Sequence, residues 1–395
     1  MKKKVVIFRS GSILENSGGP SGYLYILREG LKKVESDIDV ISYSKAEKDL
    51  KHGRERNEST TFLKLFIQEI YSCIFLLFYH KRHKYSLYKL LKDFDIIHVH
   101  SVENAYSLSK LRWLKGKIIL TPHRPEASYA ETINQLKKRW STEYSFPLLK
   151  KVYVYIERHA YKATSGFIFP SKGAMNIYKD FPGFVEGSKG KNIKYVYTGV
   201  IDKSKLYRKG LYRKKFDLNS SNKVIAYIGR HSSIKGYDFL ISNADFFEKN
   251  KIHLICAGDY NEKMIPISKY WHECGFISDT YNLLGDADVV VIPNRNTYFD
   301  LVIIEALSMG KIVLSTNTGG NIDINLLTEG MILFRNGDDE DFQRKLIEIL
   351  KMNNIDKNNL EKCNRKFYKK FCTVEQFAFH YIEAIKTMEE GNLLE

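Results

Sequence analysis

The sequence contains little cysteine and little proline. Its 395 residues include 5 cysteines and 8 prolines, and no two cysteines form a C-x-x-C pair. This scarcity excludes a disulfide-stapled scaffold and a cysteine-based zinc site, and it favours a reducing compartment. Hydrophobic residues make up 44% of the chain, which excludes the disordered and collagen-like classes. The composition is therefore that of a globular protein.

Long apolar runs are also missing. The run at 5–8 ends at Arg9 and is too short for the apolar core of a signal peptide, so we interpret it as a buried strand. The stretch at 62–79 contains polar residues, and its uninterrupted part, 70–79, is about half as long as a membrane-spanning helix. We therefore expect no transmembrane helix there. A core helix and a helix that lies on a membrane surface are the two remaining interpretations.

The second half of the chain has no net charge. Residues 1–200 contain 35 Lys and Arg against 19 Asp and Glu, whereas residues 201–395 contain 27 of each kind. The formal charge of +16 therefore belongs entirely to the first half, which indicates an anionic partner for that half alone. The basic residues are not interleaved with an RRM, OB or helix-turn-helix pattern, so we expect no nucleic-acid binding.

Short β-branched runs alternate with amphipathic segments along most of the chain. Strands are predicted at 5–8, 96–100, 117–121, 167–170, 195–197, 224–228, 252–258, 289–293 and 312–315. Strands that alternate with helices indicate parallel sheets covered on both faces. The basic segment 202–223 is interpreted as a linker. The predicted fold class is therefore α/β, with two doubly wound Rossmann-like domains at 1–200 and 201–370 that face a central cleft, the default ligand site.

A glycine-rich loop follows the first predicted strand. Gly18 and Gly19 lie where a parallel α/β fold brings backbone N–H groups and the positive end of a helix against a phosphate. The loop is not a G-x-G-x-x-G motif, and no acidic residue follows at the spacing of a dinucleotide site. By itself it fits a phosphate site and a plain turn about equally well.

The first predicted strand of the second domain ends in a comparable loop. Gly229 and Arg230 close that strand, and Lys235 follows. The two cations could converge on an anion, and the planar guanidinium of Arg230 suits a phosphate. A solvated basic loop is the alternative.

A further candidate, Glu305, lies on a helix predicted to begin at Asp300 or Leu301. Residues 301–304 are all apolar, so the start of the helix is expected to be buried and its carboxylate to need a partner. Two adjacent hydroxyl groups, as on a ribose, would be such a partner. An ordinary exposed helix glutamate is the alternative.

Taken in order, these motifs resemble the retaining glycosyltransferases of family 4, which have the GT-B fold, and the resemblance spans nearly the whole chain. The matching positions are Gly18-Gly19, His98-x-His100, Thr121-x-His123, Thr198-Gly199-Val200-Ile201-Asp202, Gly229-Arg230, Lys235-Gly236, Gly275-Phe276, Ala287-Asp288-Val289, Glu305-Ala306-Leu307-x-x-Gly310 and Thr318-Gly319-Gly320. In that family the first domain binds the acceptor and the second binds the nucleotide-sugar. The terminal helix, expected here within 371–395, packs back on the first domain.

The resemblance implies roles for the matched residues. Arg230 and Lys235 would hold the diphosphate of a nucleotide-sugar of the UDP type, and His123 would lie beside the donor sugar. The implied donor-binding positions are Gly18, Gly19, Gly229, Phe276, Thr297, Asp300, Leu301, Val302 and Glu305. His98 and His100 are candidates for contacting the acceptor, and either could instead be a satisfied polar residue at a strand end.

One position departs from the family. The family carries a glutamate eight positions before Glu305 and a glycine at position 300, whereas this chain has Thr297 and Asp300. That glutamate touches the donor sugar, so the departure concerns donor choice and activity. Asp300 has two interpretations: it caps the helix, or it presents its carboxylate to the donor sugar.

The sequence contains no clear nucleophile–base pair, no D-x-D-type metal motif tied to a phosphate loop and no Cys/His cluster. Catalysis is therefore expected to rest on positioning and on fixed cations that stabilise the departing diphosphate, without a metal or another cofactor. The resemblance implies front-face attack with retention, in which the leaving phosphate helps to take the acceptor proton.

The resemblance also suggests a lipid-linked or glycan acceptor in the synthesis of bacterial surface polysaccharide. Lys81, Arg82 and Lys84 follow the apolar stretch 62–79, which suits an anionic membrane surface. The predicted location is cytoplasmic, peripheral at the inner face of the cell membrane. The alternative function, suggested by Thr297, is a catalytically silent GT-B subunit that binds and stabilises a partner transferase.

Overall fold

The structure is a computed structural model, and it describes residues 3–10, 19–43, 62–258 and 265–390. The chain divides into two compact units. The first unit comprises Met1–Phe169, Met175–Val196 and Phe379–Glu395, and the second comprises Pro170–Ala174 and Tyr197–Ala378. This division differs from the predicted limits of 1–200 and 201–370 in three places. Pro170–Ala174 and residues 197–200 belong to the second unit, and the C-terminal tail rejoins the first unit at Phe379.

The first unit is built on a six-stranded sheet in the order β2-β1-β3-β4-β5-β6, and all neighbouring strands are parallel. Its strands are β1 Val5–Ser10, β2 Asp39–Tyr43, β3 Ile96–Val99, β4 Lys117–Leu120, β5 Gly166–Phe169 and β6 Asn192–Tyr195. Every residue of β3 and β5 is buried. Burial of consecutive residues is typical of a parallel sheet that is covered on both faces.

Helices cover this sheet. They are α1 Gly19–Lys33, α2 Phe62–Leu91, α3 Val102–Ser109, α4 Ser128–Trp140, α5 Pro147–Ala163, α6 Lys172–Asn176 and α7 Phe184–Ser188, with Lys172 to Ala174 assigned to the second unit. Local sequence fixes some of the helix starts. The Ser101 hydroxyl accepts a hydrogen bond from the Asn104 N–H at 3.2 Å and so caps α3. Pro147 begins α5 at a position where its missing N–H costs nothing.

The helix α2 is longer than the apolar stretch that the sequence displays. It runs for 30 residues, and by length and composition it is the one helix in the described part of the chain that could cross a membrane. Its most apolar 18-residue window has a mean hydropathy of 1.6, and 11% of that window is buried. The length inferred from the sequence, about half of a membrane span, is therefore too short, because the helix continues through polar and basic residues.

The second unit is built on another six-stranded parallel sheet, in the order β12-β11-β10-β7-β8-β9. Its strands are β7 Lys223–Ile228, β8 Ile252–Ala257, β9 Trp271–Glu273, β10 Val289–Ile292, β11 Val313–Thr316 and β12 Met331–Phe334. The helices are α8 Leu211–Lys215, α9 Tyr237–Ser242, α10 Ala244–Lys249, α11 Thr280–Asp286, α12 Leu301–Ser308, α13 Gly320–Asn325, α14 Asp339–Lys351, α15 Asn354–Phe367 and α16 Val374–Glu390, whose residues from Phe379 onward belong to the first unit.

The predicted fold class is confirmed, since each unit is a parallel sheet with helices between its strands. Three strands, β2, β9 and β12, are not among those predicted from the sequence, and one predicted strand ends earlier than expected. The strand predicted at 195–197 is β6, which ends at Tyr195. The apolar Tyr197 beyond it instead packs on Phe299 and Phe371 in the second unit.

The segment interpreted as a linker is an ordered part of the second unit. It contains α8, and the Asp286 carboxylate accepts hydrogen bonds from the Gly210 N–H at 2.6 Å and the Tyr212 N–H at 2.7 Å. The Tyr207 hydroxyl donates to the same carboxylate at 2.8 Å. Arg213, one of the basic residues that suggested a solvated linker, also attaches the segment, because its guanidinium lies 3.1 Å from Asp288 Oδ1.

Candidate functional site

The loop that follows β7 carries the two predicted cations, Arg230 and Lys235. It ends in a single turn of 3₁₀ helix, Ser233–Lys235, and then in Gly236, which has a φ of +68°. A Cβ atom on Gly236 would lie 1.9 Å from the Pro293 carbonyl oxygen, so only glycine allows this loop to pass so close to the end of β10. The loop is thereby held at the carboxyl edge of the second sheet, where parallel α/β folds bind ligands.

Tyr227 attaches both ends of this cationic loop. Its hydroxyl group lies 2.8 Å from the Arg230 carbonyl oxygen and 3.4 Å from the Lys235 carbonyl oxygen. The Arg230 side chain itself is exposed, and no hydrogen bond or ion pair joins its guanidinium to another residue in the described ranges. The backbone of the loop is thus fixed while its guanidinium faces solvent.

Lys235 is paired with Asp300. The Lys235 Nζ atom lies 2.6 Å from Asp300 Oδ1, and the side chains of Asn294 and Thr297 donate to Asp300 Oδ2. Thr297 is buried, at 2% exposure. The structure therefore joins Lys235, Thr297 and Asp300, three of the predicted site residues, in one hydrogen-bonded group.

This pairing bears on the two interpretations of Asp300. The residue does stand at the N-cap position of α12, with φ −87° and ψ 119°, but its side chain makes no capping hydrogen bond. Both of its oxygens are instead used by Lys235, Asn294 and Thr297. The capping interpretation is therefore wrong for the side chain, and the sugar-binding interpretation stays a prediction.

Glu305 lies on α12, five residues beyond the cap, and is half-buried. Burial raises the pKa of its carboxyl group, and the charge of Lys203 opposes this shift. From the residues that the structure describes it accepts one hydrogen bond, which is long, at 3.5 Å between the Thr280 hydroxyl oxygen and Glu305 Oε2. Among the described residues this carboxylate therefore has a weak partner, and it retains capacity for stronger hydroxyl donors.

The other predicted donor positions lie around this edge of the second sheet. Leu301 and Val302 form the first turn of α12 and are half-buried. Phe276 is 74% exposed, in the segment after β9. Gly229 follows β7, and a Cβ atom on it would lie 3.1 Å from the Tyr227 hydroxyl oxygen. The donor-binding roles of these residues remain predictions.

In the first unit, Gly19 begins α1 with a φ of +61°, and a Cβ atom there would have no neighbour within 4 Å among the described residues. Gly18 lies outside the described residues. The open space beside Gly19 is compatible with the close approach of a ligand, which remains a prediction.

His98 is a buried residue at the end of β3. Its Nδ1 atom lies 2.8 Å from the Tyr381 hydroxyl group, and its Nε2 atom lies 2.8 Å from Thr121 Oγ1. Burial lowers the pKa of His98 to about 3, so the ring is neutral. Because both ring nitrogens are used inside the protein, His98 is a satisfied strand-end residue that holds α16, and the predicted acceptor contact is not supported by this geometry.

His100 and His123 come together at the carboxyl edge of the first sheet. The His100 Nδ1 atom lies 2.9 Å from His123 Nε2, and the Tyr23 ring packs edge-on against His123 at 4.8 Å. Burial lowers the pKa of His123 to about 3 and that of His100 well below its ordinary value. The two neutral rings line a cavity of about 140 Å³.

The described residues contain no group of three or more His, Cys, Asp or Glu side chains that could hold a metal ion. The expectation that no metal is required remains a prediction. Tyr227 and Asn294 are site residues that sequence reasoning missed. The position of Tyr227, two residues before Gly229, was the available signal, because a tyrosine that late in a buried strand needs a partner for its hydroxyl group near the following loop.

Known protein families match most of the chain. A family model described as "Glycosyl transferases group 1" matches residues 222–352, and one described as "Glycosyltransferase Family 4" matches residues 17–203. The chain belongs to glycosyltransferase family 4. The two matches fall on either side of the division between the two units, so the first half of the family's pattern lies mainly in the first unit and the second half in the second unit.

Two curated proteins illustrate the relationship. The family 4 chain is 27% identical over 240 residues to the O-antigen biosynthesis glycosyltransferase WclY of Escherichia coli, with 58% of this chain and 62% of that protein covered. It is 29% identical over 240 residues to an uncharacterized 41.2 kDa protein in the cps region of Klebsiella pneumoniae, with 57% and 60% covered. The chain thus spans about three fifths of the length of these relatives.

A solved structure supports the fold. Anabaena Alr3699/HepE, crystallised in complex with UDP and glucose, superimposes with a TM-score of 0.61 at 15% identity, and the match covers 98% of this chain and all of that one. At this identity the likeness shows the shared fold, which is the GT-B fold that the sequence motifs predicted.

Proposed function

We propose that this family 4 chain is a retaining glycosyltransferase that moves a sugar from a UDP-sugar to a lipid-linked or glycan acceptor during surface-polysaccharide synthesis. Family membership supports a transfer from a nucleotide-sugar. The named relative WclY supports a role in O-antigen or related polysaccharide synthesis. The structure of HepE with UDP and glucose supports a UDP-linked donor.

The observation that carries this proposal is the fixed cationic loop of the second unit. Arg230 presents to solvent a guanidinium that no residue of the described ranges pairs with, and Tyr227 holds the backbone of both Arg230 and Lys235. A guanidinium can bind phosphate oxygens in a bidentate manner, and a preorganised cation stabilises charge that develops on a leaving diphosphate. The loop therefore suits the departure of a nucleoside diphosphate, in which little covalent chemistry is required of the protein.

Glu305 is suited to bind the ribose of the nucleotide, at the end away from the diphosphate. Its carboxylate is desolvated, and within the described part of the chain it accepts one long hydrogen bond, from Thr280. Two adjacent ribose hydroxyl groups would donate to its two oxygens and so stabilise a buried charge that otherwise raises the free energy of the folded state. Glu305 would therefore orient the nucleoside while Arg230 and Lys235 hold the diphosphate.

The proposed mechanism needs only positioning and electrostatic stabilisation. As the bond between the sugar and the diphosphate breaks, charge grows on the phosphate oxygens beside Arg230 and Lys235. The acceptor hydroxyl attacks from the same face, and its proton passes to a leaving phosphate oxygen. The stereochemistry is tested by recording the anomeric configuration of the first product by NMR, since retention and inversion give opposite anomers.

The experiment that tests the function begins with thermal unfolding in the presence of UDP. A ligand that binds only the folded chain raises its melting temperature in proportion to the logarithm of its concentration. We expect UDP to stabilise the wild type and to stabilise Arg230→Ala much less. The matched control is Lys249→Ala, which removes an exposed cation at the end of α10, just before β8 begins and therefore at the opposite edge of the same sheet.

A panel of nucleotide-sugars completes this test, with slow hydrolysis of the donor as the readout. Turnover of one donor supports a transferase. UDP binding without turnover of any donor would instead support the catalytically silent subunit that Thr297 suggested. Absence of stabilisation by UDP and by every other nucleotide would overturn the proposed donor site.

We further propose that the chain lies on the inner face of the cell membrane through α2. The exposed side chains of its apolar half recur on one stripe, and they are Phe62, Leu63, Ile67, Ile70, Tyr71, Ile74 and Phe78. Lys81, Arg82 and Lys84 follow and are exposed. An apolar stripe beside cations suits the headgroup region of an anionic leaflet.

The buried contacts on the opposite face of α2 indicate a helix that lies on the membrane and does not cross it. Glu69 is fully buried there, and its carboxylate accepts hydrogen bonds from the Tyr144 hydroxyl at 2.7 Å and the Leu149 N–H at 2.9 Å. Leu65 and Cys73 belong to the same hydrophobic cluster. A helix that crossed the bilayer would have to abandon these partners and leave a carboxylate in hydrocarbon, which is costly.

A further inference from the structure

Beneath the cationic loop lies a layer of buried rings that the proposed mechanism does not use. His231 follows Arg230 in the loop, and its side chain is 2% exposed although Arg230 faces solvent. The His231 ring stacks on the Tyr237 ring of α9, with centroids 3.9 Å apart and planes 7° apart. The Tyr227 ring of β7 lies 6.0 Å from His231 and 5.8 Å from Tyr237. The underside of the loop is therefore an aromatic layer that contains a histidine.

A buried carboxylate faces this histidine. Glu273 is the last residue of β9, and its side chain is 10% exposed. Its Oε1 atom accepts hydrogen bonds from the Tyr237 hydroxyl at 2.5 Å and from the Trp271 indole N–H at 2.7 Å. Its Oε2 atom is buried, lies 3.6 Å from His231 Nε2 and has no hydrogen-bond partner among the described residues. One oxygen therefore fixes the carboxylate, and the other faces the histidine ring.

The pair is poised for a proton. Burial raises the pKa of the Glu273 carboxyl group, because a charged carboxylate is costly in a buried site that lacks a cation. A proton on His231 supplies that cation. The 3.6 Å separation of the two side chains exceeds the length of a hydrogen bond by a few tenths of an ångström, so a small movement of the loop closes the ion pair.

The other titratable groups around this pair are neutral. They are Tyr227 on β7, Tyr237 on α9 and Cys256 on β8, whose thiol faces Glu273. Burial raises the pKa of all three, so they keep their protons at neutral pH. Histidine ordinarily titrates at about pH 6.5. A change of protonation near neutral pH is therefore expected at the histidine and the carboxylate.

The charges of the loop link this pair to the ligand. Arg230 immediately precedes His231, and Lys235 is already paired with Asp300. Without a ligand the positive charge of Arg230 opposes a proton on His231. A diphosphate bound to the guanidinium neutralises that charge and favours the protonated ring. Proton binding at His231 and diphosphate binding at Arg230 therefore strengthen each other.

We propose that His231 and Glu273 position the cationic loop for the reaction, and that His231 takes up a proton from the buffer when a nucleoside diphosphate binds. The protonated ring pairs with Glu273 Oε2 and moves the backbone of Arg230 towards the end of β9. Phe276, a predicted donor-binding residue, follows Glu273 by three positions, so the pair connects the two ends of the nucleotide site. This inference rests on the proposed function, because it assumes that Arg230 binds a diphosphate.

Calorimetry of UDP binding to the full chain tests the proton uptake. The titrations are made at about pH 7 in two buffers of different ionisation enthalpy, and the difference in heat gives the protons taken up per UDP. The terminal phosphate of UDP itself titrates at about pH 6, and it contributes equally to the wild type and the variants. We expect the wild type to take up about half a proton more per UDP than His231→Phe, which keeps a flat ring on Tyr237 and cannot titrate.

Glu273→Gln is the second variant. Its amide oxygen can still accept from Tyr237 and Trp271, so the fold is retained, but the histidine ring loses its anionic partner and the proton uptake should fall. The matched control is Asp341→Asn. Asp341 is a buried carboxylate on α14 of the same unit and accepts a hydrogen bond from the Arg335 N–H at 2.8 Å. Its replacement should leave the proton uptake unchanged.

The pH dependence of kcat for donor hydrolysis provides the second arm. In the wild type kcat should fall on the alkaline side as His231 loses its proton. Glu273→Gln should move this alkaline limb to lower pH, because the protonated ring has lost the charge that stabilises it. His231→Phe should abolish the limb and lower kcat about tenfold. A merely structural role would lower the stability of both variants without moving the limb.

The outcomes separate this inference from the proposed function. Lower proton uptake in His231→Phe and Glu273→Gln, with normal uptake in Asp341→Asn, supports the pair. If UDP binds but His231→Phe takes up as many protons as the wild type, or if Glu273→Gln leaves both the uptake and the alkaline limb unchanged, the inference is wrong and the donor site stands. If another nucleoside diphosphate stabilises the wild type better, it replaces UDP. If no nucleotide binds, the proposed donor site fails, and the inference fails with it.

Discussion

The ammonium group of Lys235 lies 2.6 Å from the carboxylate of Asp300, a residue 65 positions further along the chain. The side chains of Asn294 and Thr297 donate to the other oxygen of the same carboxylate. A cation proposed to hold a diphosphate is therefore already paired with an anion in the absence of ligand. The ion pair fixes Lys235, but its negative charge also opposes the approach of a phosphate.

Replacing Asp300 separates these two effects. In Asp300→Asn we expect UDP to bind at least as tightly as in the wild type, because one negative charge near the diphosphate is gone. The value of kcat should fall about tenfold, since Lys235 is no longer held by an ionic partner. Calorimetry with UDP and steady-state kinetics measure the two quantities. The control Thr297→Val removes one hydrogen bond to the carboxylate and retains its charge. Weaker UDP binding with unchanged kcat would contradict this account.

Replacing Arg230 or Lys235 should lower kcat more than replacing Asp300 does. Arg230→Ala and Lys235→Ala should each lower kcat about 100-fold or more, on the scale measured for other groups that stabilise charge in a transition state. Arg230→Lys should recover only part of the loss, because a point charge cannot replace a planar fork. Turnover of the identified donor is the measurement. Near-normal turnover in Lys235→Ala would remove Lys235 from the mechanism.

Tyr227 offers a test of preorganisation without a change in charge. Its hydroxyl group lies within hydrogen-bond distance of the carbonyl oxygens of both Arg230 and Lys235. Tyr227→Phe keeps the buried ring and frees the loop, so kcat should fall while stability changes by about 1 kcal/mol. Tyr212→Phe, which removes the hydroxyl that bonds Asp279 at 2.7 Å in the same unit, is the control. Equal kcat values in the two variants would show that the loop does not need this attachment.

The sequence predicted those features that depend on neighbouring residues. Alternating strands and helices gave the parallel α/β class, and the loop containing Arg230 and Lys235 was found because its cations follow a buried strand. The contacts that complete the site link distant positions. Asp300 meets Lys235, and His98 meets Tyr381 across 283 residues. Such pairs depend on how strands and helices pack in three dimensions, and no local pattern encodes them.

Histidine burial makes the first unit sensitive to acid. The pKa values of His98 and His123 are about 3, below the value of about 6.5 in an unfolded chain. Between these two pH values the unfolded state therefore binds more protons than the folded state. The free energy of unfolding is highest above pH 6.5, where both states hold neutral histidines, and it decreases as the pH falls towards 3. For one such histidine the loss between pH 7.5 and pH 5 is about 2 kcal/mol.

Urea unfolding at the two pH values tests this expectation. His98→Gln should show a smaller loss of stability between pH 7.5 and pH 5 than the wild type. The control, His159→Gln, changes a surface histidine whose Nδ1 atom contacts a backbone carbonyl of its own helix, and it should lose as much as the wild type. An identical loss in His98→Gln and the wild type would contradict the burial argument.

Tyr381 should couple the C-terminal helix to the first sheet. Tyr381→Phe removes the hydroxyl group 2.8 Å from His98 Nδ1 and leaves a buried ring nitrogen without its partner. We expect a loss of about 1–3 kcal/mol in the free energy of unfolding. Adding His98→Phe to this variant should cost less than it does in the wild type, because the two residues interact. Strictly additive losses would show that the contact contributes no stability.

The surface of α2 provides the last prediction. If it lies on an anionic membrane, the chain should sediment with vesicles that contain acidic phospholipid and not with neutral vesicles, and binding should weaken as salt rises, because screening shortens the range of the attraction. Changing Lys81, Arg82 and Lys84 to Glu should abolish sedimentation. Because these side chains are exposed, the fold should survive.

Two further variants separate charge from apolar insertion. Changing Ile67, Tyr71 and Ile74 to Ser leaves every basic residue in place, yet it should weaken sedimentation even at low salt, because these exposed side chains supply the buried apolar area. Changing Lys115, Lys179 and Lys189 to Glu reverses as many exposed charges in the same unit away from α2, so it should reduce sedimentation much less. If the two charge-reversal variants behave alike, net charge alone attracts the chain to the vesicles, and the apolar stripe of α2 must have another partner.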